Sequence, residues 1–196
     1  MPRKTSICRL LGIMHGDGNM SYSRVHITDK CLDYHIKIIH PLFNELFGVK
    51  MNLFHDKNRN SYYSHTKKKD VYKFLTEKLK LPEGSVRKNL KVEEFMNKWN
   101  DNEKAFYIAG IFDSEGYVSK RQAEISITIT SKEIFDFISN HLHKLNFTHS
   151  KRMRNRRMKT EYELRMYGKK NISSFFNRIP IKNPDKIHRL IKFLGH

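Results

Sequence analysis

At 196 residues the chain can bury one core, or two small halves sharing a core, and a larger architecture is excluded. It carries 38 Lys and Arg against 20 Asp and Glu, a net charge of +18 and a pI of about 9.9. Ion-pair networks would balance the two signs, so this surplus of mutually repelling cations points to a polyanionic partner, and first of all to nucleic acid.

The first element in chain order is a helix ending near residue 17, with Thr5 or Ser6 as its expected cap and Gly12 and Gly16 on one face at a spacing of four. It runs through Gly18 toward a strand with Val25 and Ile27 on the inner face and Arg24 and His26 on the outer. Lys30 precedes a helix carrying Leu32, Ile36, Ile39, Phe43 and Leu46 at steps of three and four. Strands follow around 49–54 and 61–66. Leu81-Pro82-Glu83-Gly84 is turn chemistry, and residues 80–102 read as a linker anchored by Phe95 and Trp99.

Beyond the linker the order repeats. A helix capped by Asp101 or Asn102 ends at Glu115, and a strand follows with Ile125, Ile127 and Ile129 inward and Ser126 and Thr128 outward. Thr130 and Glu133 form a capping-box pattern before a helix carrying Ile134, Ile138, Leu142 and Leu145. Strands come around 147–154 and 160–167, the second with Tyr162, Leu164 and Met166 inward. Residues 1–79 and 103–196 are therefore read as two halves joined by 80–102, each running helix, two strands, helix, two strands, helix.

Leu10-Leu-Gly-Ile-Met-His-Gly-Asp-Gly18 matches Ile108-Ala-Gly-Ile-Phe-Asp-Ser-Glu-Gly116 in kind along its length. Gly12 pairs with Gly110, Gly16 with Ser114 and Asp17 with Glu115. The acid-to-lysine spacing is 13 in the first copy (Asp17 to Lys30) and 17 in the second (Glu115 to Lys132), a difference assigned to an insertion in a surface turn. The small residues Gly12, Gly16, Gly110 and Ser114 allow two helices to pack backbone against backbone, which brings both C-termini together. Gly18 and Gly116 are expected to lend the dihedral freedom that ends each helix.

Acids in that position are misplaced. Each faces the negative end of a helix dipole, unfavourable by roughly 0.3 to 1 kcal/mol, and the two repel each other. A divalent cation removes both penalties. Mg²⁺ accepts hard oxygens, here Asp17, Glu115 and the main-chain ends at Gly16 and Ser114, and Mn²⁺ can substitute. With phosphate oxygens completing the shell, a metal-bound water would be the nucleophile and the ion would assist the leaving 3′ oxygen. One Gly-Asp-Gly alone is more often a hairpin turn and one glycine face simple packing; the repetition in a basic chain carries the reading.

With both motifs in one chain, from about Ile7 to the last helix, the sequence resembles the LAGLIDADG homing endonucleases. The resemblance implies an α+β fold of two pseudo-symmetric αββαββα halves, with the motif helices at the centre and two antiparallel sheets forming a saddle over the DNA major groove. It further implies a monomer acting as a pseudo-dimer, and Mg²⁺-dependent hydrolysis of both strands of a long target to leave short 3′ overhangs. Asp17 and Glu115 match the family's metal-binding acids. The first motif departs at His15, where an acid is common and Asp113 keeps it, a difference read as tuning. The family also places basic or polar groups near the scissile phosphates. Lys30 and Lys132, equated through the repeat, are the candidates for that role, against a plain reading as first-turn surface lysines. Asp29 and Ser131 before them assist or cap.

For DNA contacts the candidates are Arg24, His26, Asn52, Arg121, Ser126, Thr128 and Arg165, with Lys57 and Arg59 in one hairpin and Arg152, Arg154, Arg156 and Arg157 around the other assigned first to phosphates. Glu161 and Glu163 are placed outward, where acids accept from cytosine amino groups. The same fold also serves as an RNA maturase, with intron RNA as partner, or as a cleavage-deficient binder; a ribosome or membrane-surface protein would explain the charge but not the repeated acids. An intein splicing module does not fit beside this domain in the length given, so a free-standing or intron-encoded protein is expected. Cys8 and Cys31 read as small buried hydrophobes in a reducing compartment, and no zinc spacing occurs among the eleven histidines. No apolar run approaches the ~20 residues of a membrane span. The expected location is intracellular, in the cytoplasm or nucleoid of a prokaryote or in an organelle.

Overall fold

The computed structural model describes residues 3–86, 90–119, 121–156 and 159–195, with Arg3 and Arg156 described by their main chain alone. The first half runs α1 (Arg3–Asp17), β1 (Gly18–Ser21), β2 (Arg24–Asp29), α2 (Leu32–Tyr34), a π-helical turn (His35–Ile39), α3 (His40–Phe47), β3 (Asn52–Asp56), β4 (Ser61–Thr66), α4 (Lys69–Lys73) and a second π turn (Phe74–Lys78). The connecting segment holds β5 (Gly84–Ser85) and α5 (Glu94–Asn97). Then come α6 (Asp101–Glu115), β6 (Gly116–Val118), β7 (Glu124–Ile129), α7 (Lys132–Lys144), β8 (Ser150–Arg156), β9 (Lys159–Tyr167), α8 (Lys169–Arg178) and α9 (Pro184–Leu194).

The strands form two antiparallel sheets, ordered β3-β4-β2-β1-β5 and β6-β7-β9-β8. Read through the repeat, β8-β9-β7-β6 is the same arrangement as β3-β4-β2-β1, and the fold is the α+β architecture expected. The connecting segment is not a plain linker, because Gly84 and Ser85 pair with Met20 and Asn19 and extend the first sheet by a strand. Inner faces follow the alternation: Val25, Ile27, Ile125, Ile127, Leu164 and Met166 are fully buried. Phe95 and Trp99 do act as anchors, with Trp99 against Tyr107 of α6 at 5.5 Å.

The helix entries differ from expectation. Thr5 and Ser6 lie inside α1 and are buried, whereas α6 is capped by Asn100, whose side chain accepts from Glu103 N while Glu103 accepts from Asn100 N. The cap of α7 is Ser131, accepting from Ile134 N at 3.3 Å, and Glu133 instead accepts from Val92 N. Leu32 and Ile36 are exposed while Tyr34 and His35 are buried. The π turn at His35–Ile39 accounts for this: its wider turn shifts the helix phase, so a step-of-four pattern begun at Leu32 points outward until Ile39.

Register also corrects the repeat. Gly18 pairs with Ile27 and Gly116 with Ile127, and the helix N-caps are Cys31 and Ser131. The second copy therefore gains two residues, all in the β6–β7 hairpin, where the first copy turns tightly through Tyr22 and Ser23 at positive φ. Lys30 lies one residue before its cap and Lys132 one after, so the two lysines are not equivalent positions.

Candidate active site

At the centre α1 and α6 touch through main chain. A Cβ on Gly12 would stand 2.2 Å from the Tyr107 carbonyl oxygen, and one on Gly110 would stand 2.3 Å from the Arg9 carbonyl oxygen. No side chain fits at either place. One turn on, a Cβ on Gly16 would lie 2.3 Å from Ser114 Cβ and 3.2 Å from Glu115 Cγ. The helix ends thus converge, and Glu115 is laid beside the residue preceding Asp17. Gly18 and Gly116 serve differently from expectation: Gly116 has an ordinary φ of −70°, and the constraint is space, since a Cβ would meet the Met14 or Phe112 carbonyl at 2.5 or 2.4 Å.

Two further interhelix pairs are related by the repeat. Arg9 Nη1 donates to Asp113 Oδ2 at 2.7 Å, and His15 Nδ1 shares a hydrogen bond with Tyr107 Oη at 2.7 Å. Tyr107 occupies Arg9's place in the second motif and His15 occupies Asp113's. The acid missing from the first motif is thereby explained: its partner across the interface is a phenol rather than a guanidinium. All four side chains are buried. Burial pushes His15 down to about 3 and drives Tyr107 well up, so this pair is neutral. Burial also raises Asp113, opposed by Arg9 and by main-chain donors from Lys182 and Asn183 at 2.9 Å. Asp113 is therefore a structural acid that ties the α8–α9 connection to the motif helix.

Asp17 opens into a groove of about 720 Å³ with Asp29, Lys30, Ser114, Gly116 and Lys186 on its walls. Arg59 reaches the same groove from the β3–β4 hairpin. Asp29 accepts from Cys31 N at 2.6 Å and Ser131 caps α7, so both residues before the lysines hold helix entries. Lys132 makes an i,i+4 pair with Asp136 at 2.5 Å on the exposed side of α7. Of the two candidate lysines, only Lys30 lines the groove.

Lys186, which the sequence pattern did not single out, does more there. From the first turn of α9 its Nζ donates to the carbonyls of Phe112, Asp113 and Ser114 at 2.7, 2.7 and 2.8 Å, closing the C-terminal end of α6. Burial lowers its pKa, while the charges of Asp17, Asp113, Asp29 and Glu115 oppose that shift. The signal lay 71 residues beyond Glu115, in a helix whose own pattern is ordinary.

The outer sheet faces differ between halves. On the first, His26 is in register with His65 and Thr28 with Tyr63, and Phe54 stacks on both Tyr63 and His65 with ring centroids 5.3 and 5.1 Å apart. Arg24 and the exposed Asn52 share this face. On the second, Ser126 is in register with Arg165 and Thr128 with Glu163, and Arg154 and Arg165 contact Glu163 at 3.0 and 2.9 Å. Glu161 and Glu163 face outward as expected yet are buried beneath basic side chains. Their carboxylates are engaged as counter-ions, which corrects the expectation that they accept from bases. Lys57, Arg59 and Arg121 are exposed in hairpin loops, and Arg152 is exposed within β8 opposite Glu163; Arg157 lies outside the described residues, as does the side chain of Arg156.

Two converging acid-tipped helices, each leading into an antiparallel sheet, define the two-motif LAGLIDADG fold. Residues 102–180 match the LAGLIDADG-like domain family. The homing endonuclease I-DmoI superposes with a TM-score of 0.67 at 21% identity, over 91% of this chain and 97% of that one. I-DmoI in complex with DNA and Mn gives 0.66 at 21%, over 90% and 97%. The N-terminal LAGLIDADG domain of DUF199/WhiA gives 0.66 at 13%, over 97% and 88%. In sequence, 175 residues are 25% identical to the probable translation initiation factor IF-2 of Methanocaldococcus jannaschii, covering 85% of this chain and 14% of that protein's length. The chain thus spans a small part of that curated relative. Among the described residues no helix is long and apolar enough to cross a membrane.

Proposed function

We propose that this chain is a site-specific endonuclease that hydrolyses both strands of a long double-stranded DNA target and leaves short 3′ overhangs. The observation that carries the reading is the convergence of Asp17 and Glu115 at the touching ends of α1 and α6, in a +18 chain whose outer sheet faces carry polar, basic and aromatic side chains. Residues 1–79 and 103–196 are taken as the halves of a monomeric pseudo-dimer, joined by 80–102. The outer faces, with Arg24, His26, Asn52, Ser126, Thr128 and Arg165, would lie in the major groove, and Lys57, Arg59, Arg121, Arg152 and Arg154 would hold phosphates.

Among the described residues no three His, Cys, Asp or Glu side chains come together as a metal cage. The protein's donor set is sparse, one carboxylate per motif with helix-end carbonyls, and that suits Mg²⁺ or Mn²⁺, which keeps waters and takes substrate phosphate oxygens. Asp17, Glu115 and the Gly16 carbonyl would hold such an ion, which would supply Lewis acidity and activate a water. The chain's own residues hold the carboxylates in place through the glycine contacts, and Lys30 and Arg59 present positive charge to the phosphate beside Asp17.

Selection of cut sequences from a randomised DNA library with Mg²⁺, followed by strand-resolved cleavage, tests this reading. Asp17→Asn and Glu115→Gln are each expected to slow cutting on the order of 100-fold or more, with unequal effects on the two strands. Wild-type protein that binds a selected site and never cuts it would make the chain a DNA-binding protein of the same fold.

A further inference from the structure

The C-terminal ends of the two motif helices are not treated alike. Three carbonyls of α6 converge on one ammonium, Lys186 Nζ, all within 2.8 Å, whereas no cation is seen bonded to the corresponding carbonyls of α1 among the described residues. One of the three, Ser114 O, is an oxygen that the sequence reading offered to the metal. The lysine comes from α9, which packs against β6 of its own half and α2 of the other. Its side chain shares a groove wall with Asp17 and Asp29.

We propose that Lys186 is a positioning residue, a built-in counter-cation for the Asp17–Glu115 pair that holds the end of α6 before any divalent ion binds. It takes the Ser114 carbonyl out of the metal's donor set and makes the two acid sites inequivalent. This rests on reading Asp17 and Glu115 as metal-binding acids. A fixed positive charge beside them also weakens divalent binding, so the site loads only when DNA phosphates add their own negative charge. Without the lysine, the carboxylates and the freed Ser114 oxygen would bind a divalent ion with no DNA present.

The probe is Ca²⁺ binding to DNA-free protein by calorimetry, with thermal unfolding in chelator alongside. Lys186→Gln keeps an amide donor for the carbonyls but loses the charge, and Lys186→Met loses both. Each should bind Ca²⁺ about tenfold more tightly than wild type and gain more Tm on adding Ca²⁺. Affinities within twofold of wild type would overturn the proposal, since a purely structural lysine would change Tm but not metal affinity. Should neither variant fold, Asp17→Asn in chelator decides: a lowered Tm is expected if Asp17 is held by Lys186, and an unchanged or raised Tm overturns it. Residual Ca²⁺ binding to Lys186→Gln combined with Asp17→Asn and Glu115→Gln would refute the acids themselves, separately from the lysine.

Discussion

The two halves share a backbone plan and little of the chemistry placed on it. Both present a glycine-faced helix, four sheet strands in the same order and an acid at the same helix end. Yet one interhelix pair is an ion pair and its counterpart a neutral phenol–imidazole pair; one sheet face is a stack of Phe54, Tyr63 and His65, and the other a lattice of arginines over buried glutamates. Close main-chain packing tolerates no change, because a single Cβ at Gly12 would overlap the neighbouring helix, so symmetry persists there. Side chains that meet only a partner or a ligand can diverge in matched sets.

The central pairs offer the largest way to test that contrast. Arg9→Met leaves Asp113 in the core without its guanidinium and should cost about 3 to 5 kcal/mol, whereas Tyr107→Phe leaves only His15 short of one hydrogen bond and should cost about 1 to 3 kcal/mol. Urea unfolding of both variants measures the gap; equal costs would mean that the two pairs are energetically interchangeable.

Acid separates the pairs next. His15 is held neutral by burial, with its pKa at about 3 against an ordinary value of 6.5, and burial brings His35 down to about 4. In each case the unfolded chain binds the extra proton, so stability is complete above pH 6.5 and falls as pH drops through the interval toward the folded value. The expected loss is roughly 1 kcal/mol per pH unit for each group. Unfolding free energies from pH 7 to 4.5 should show this slope, and His15→Gln should flatten it by one proton's worth.

The smallest effect distinguishes the sheet faces. Arg152→Ala should weaken DNA binding and reduce the slope of log affinity against log salt by about 1, while Phe54→Ala should weaken binding with the slope unchanged. Parallel lines for both variants would show that the aromatic and arginine faces are not used differently.

Much of this plan was legible in the sequence, because it is carried by local period and by repetition. The glycine faces and the inward Val25, Ile27, Ile125 and Ile127 followed from spacing, and the matching order of elements in the two halves from repetition. What escaped depends on contacts distant along the chain. His15 makes sense only beside Tyr107, Glu163 only beneath Arg154 and Arg165, and the role of Lys186 only once α9 lies across the end of α6. The outward turn of Leu32 and Ile36 escaped for a local reason, since a π turn leaves no mark in a pattern read at the α-helical period.

The crossed pairs at the centre also decide partner choice. Two copies of the first half, joined through the same helix face, would set each Arg9 against a His15 and bury two cations with no acid. Two copies of the second would set each Tyr107 against an Asp113 and bury two acids with no cation. Only the mixed arrangement satisfies all four groups, so a gene cut between the halves would yield fragments that select each other over themselves.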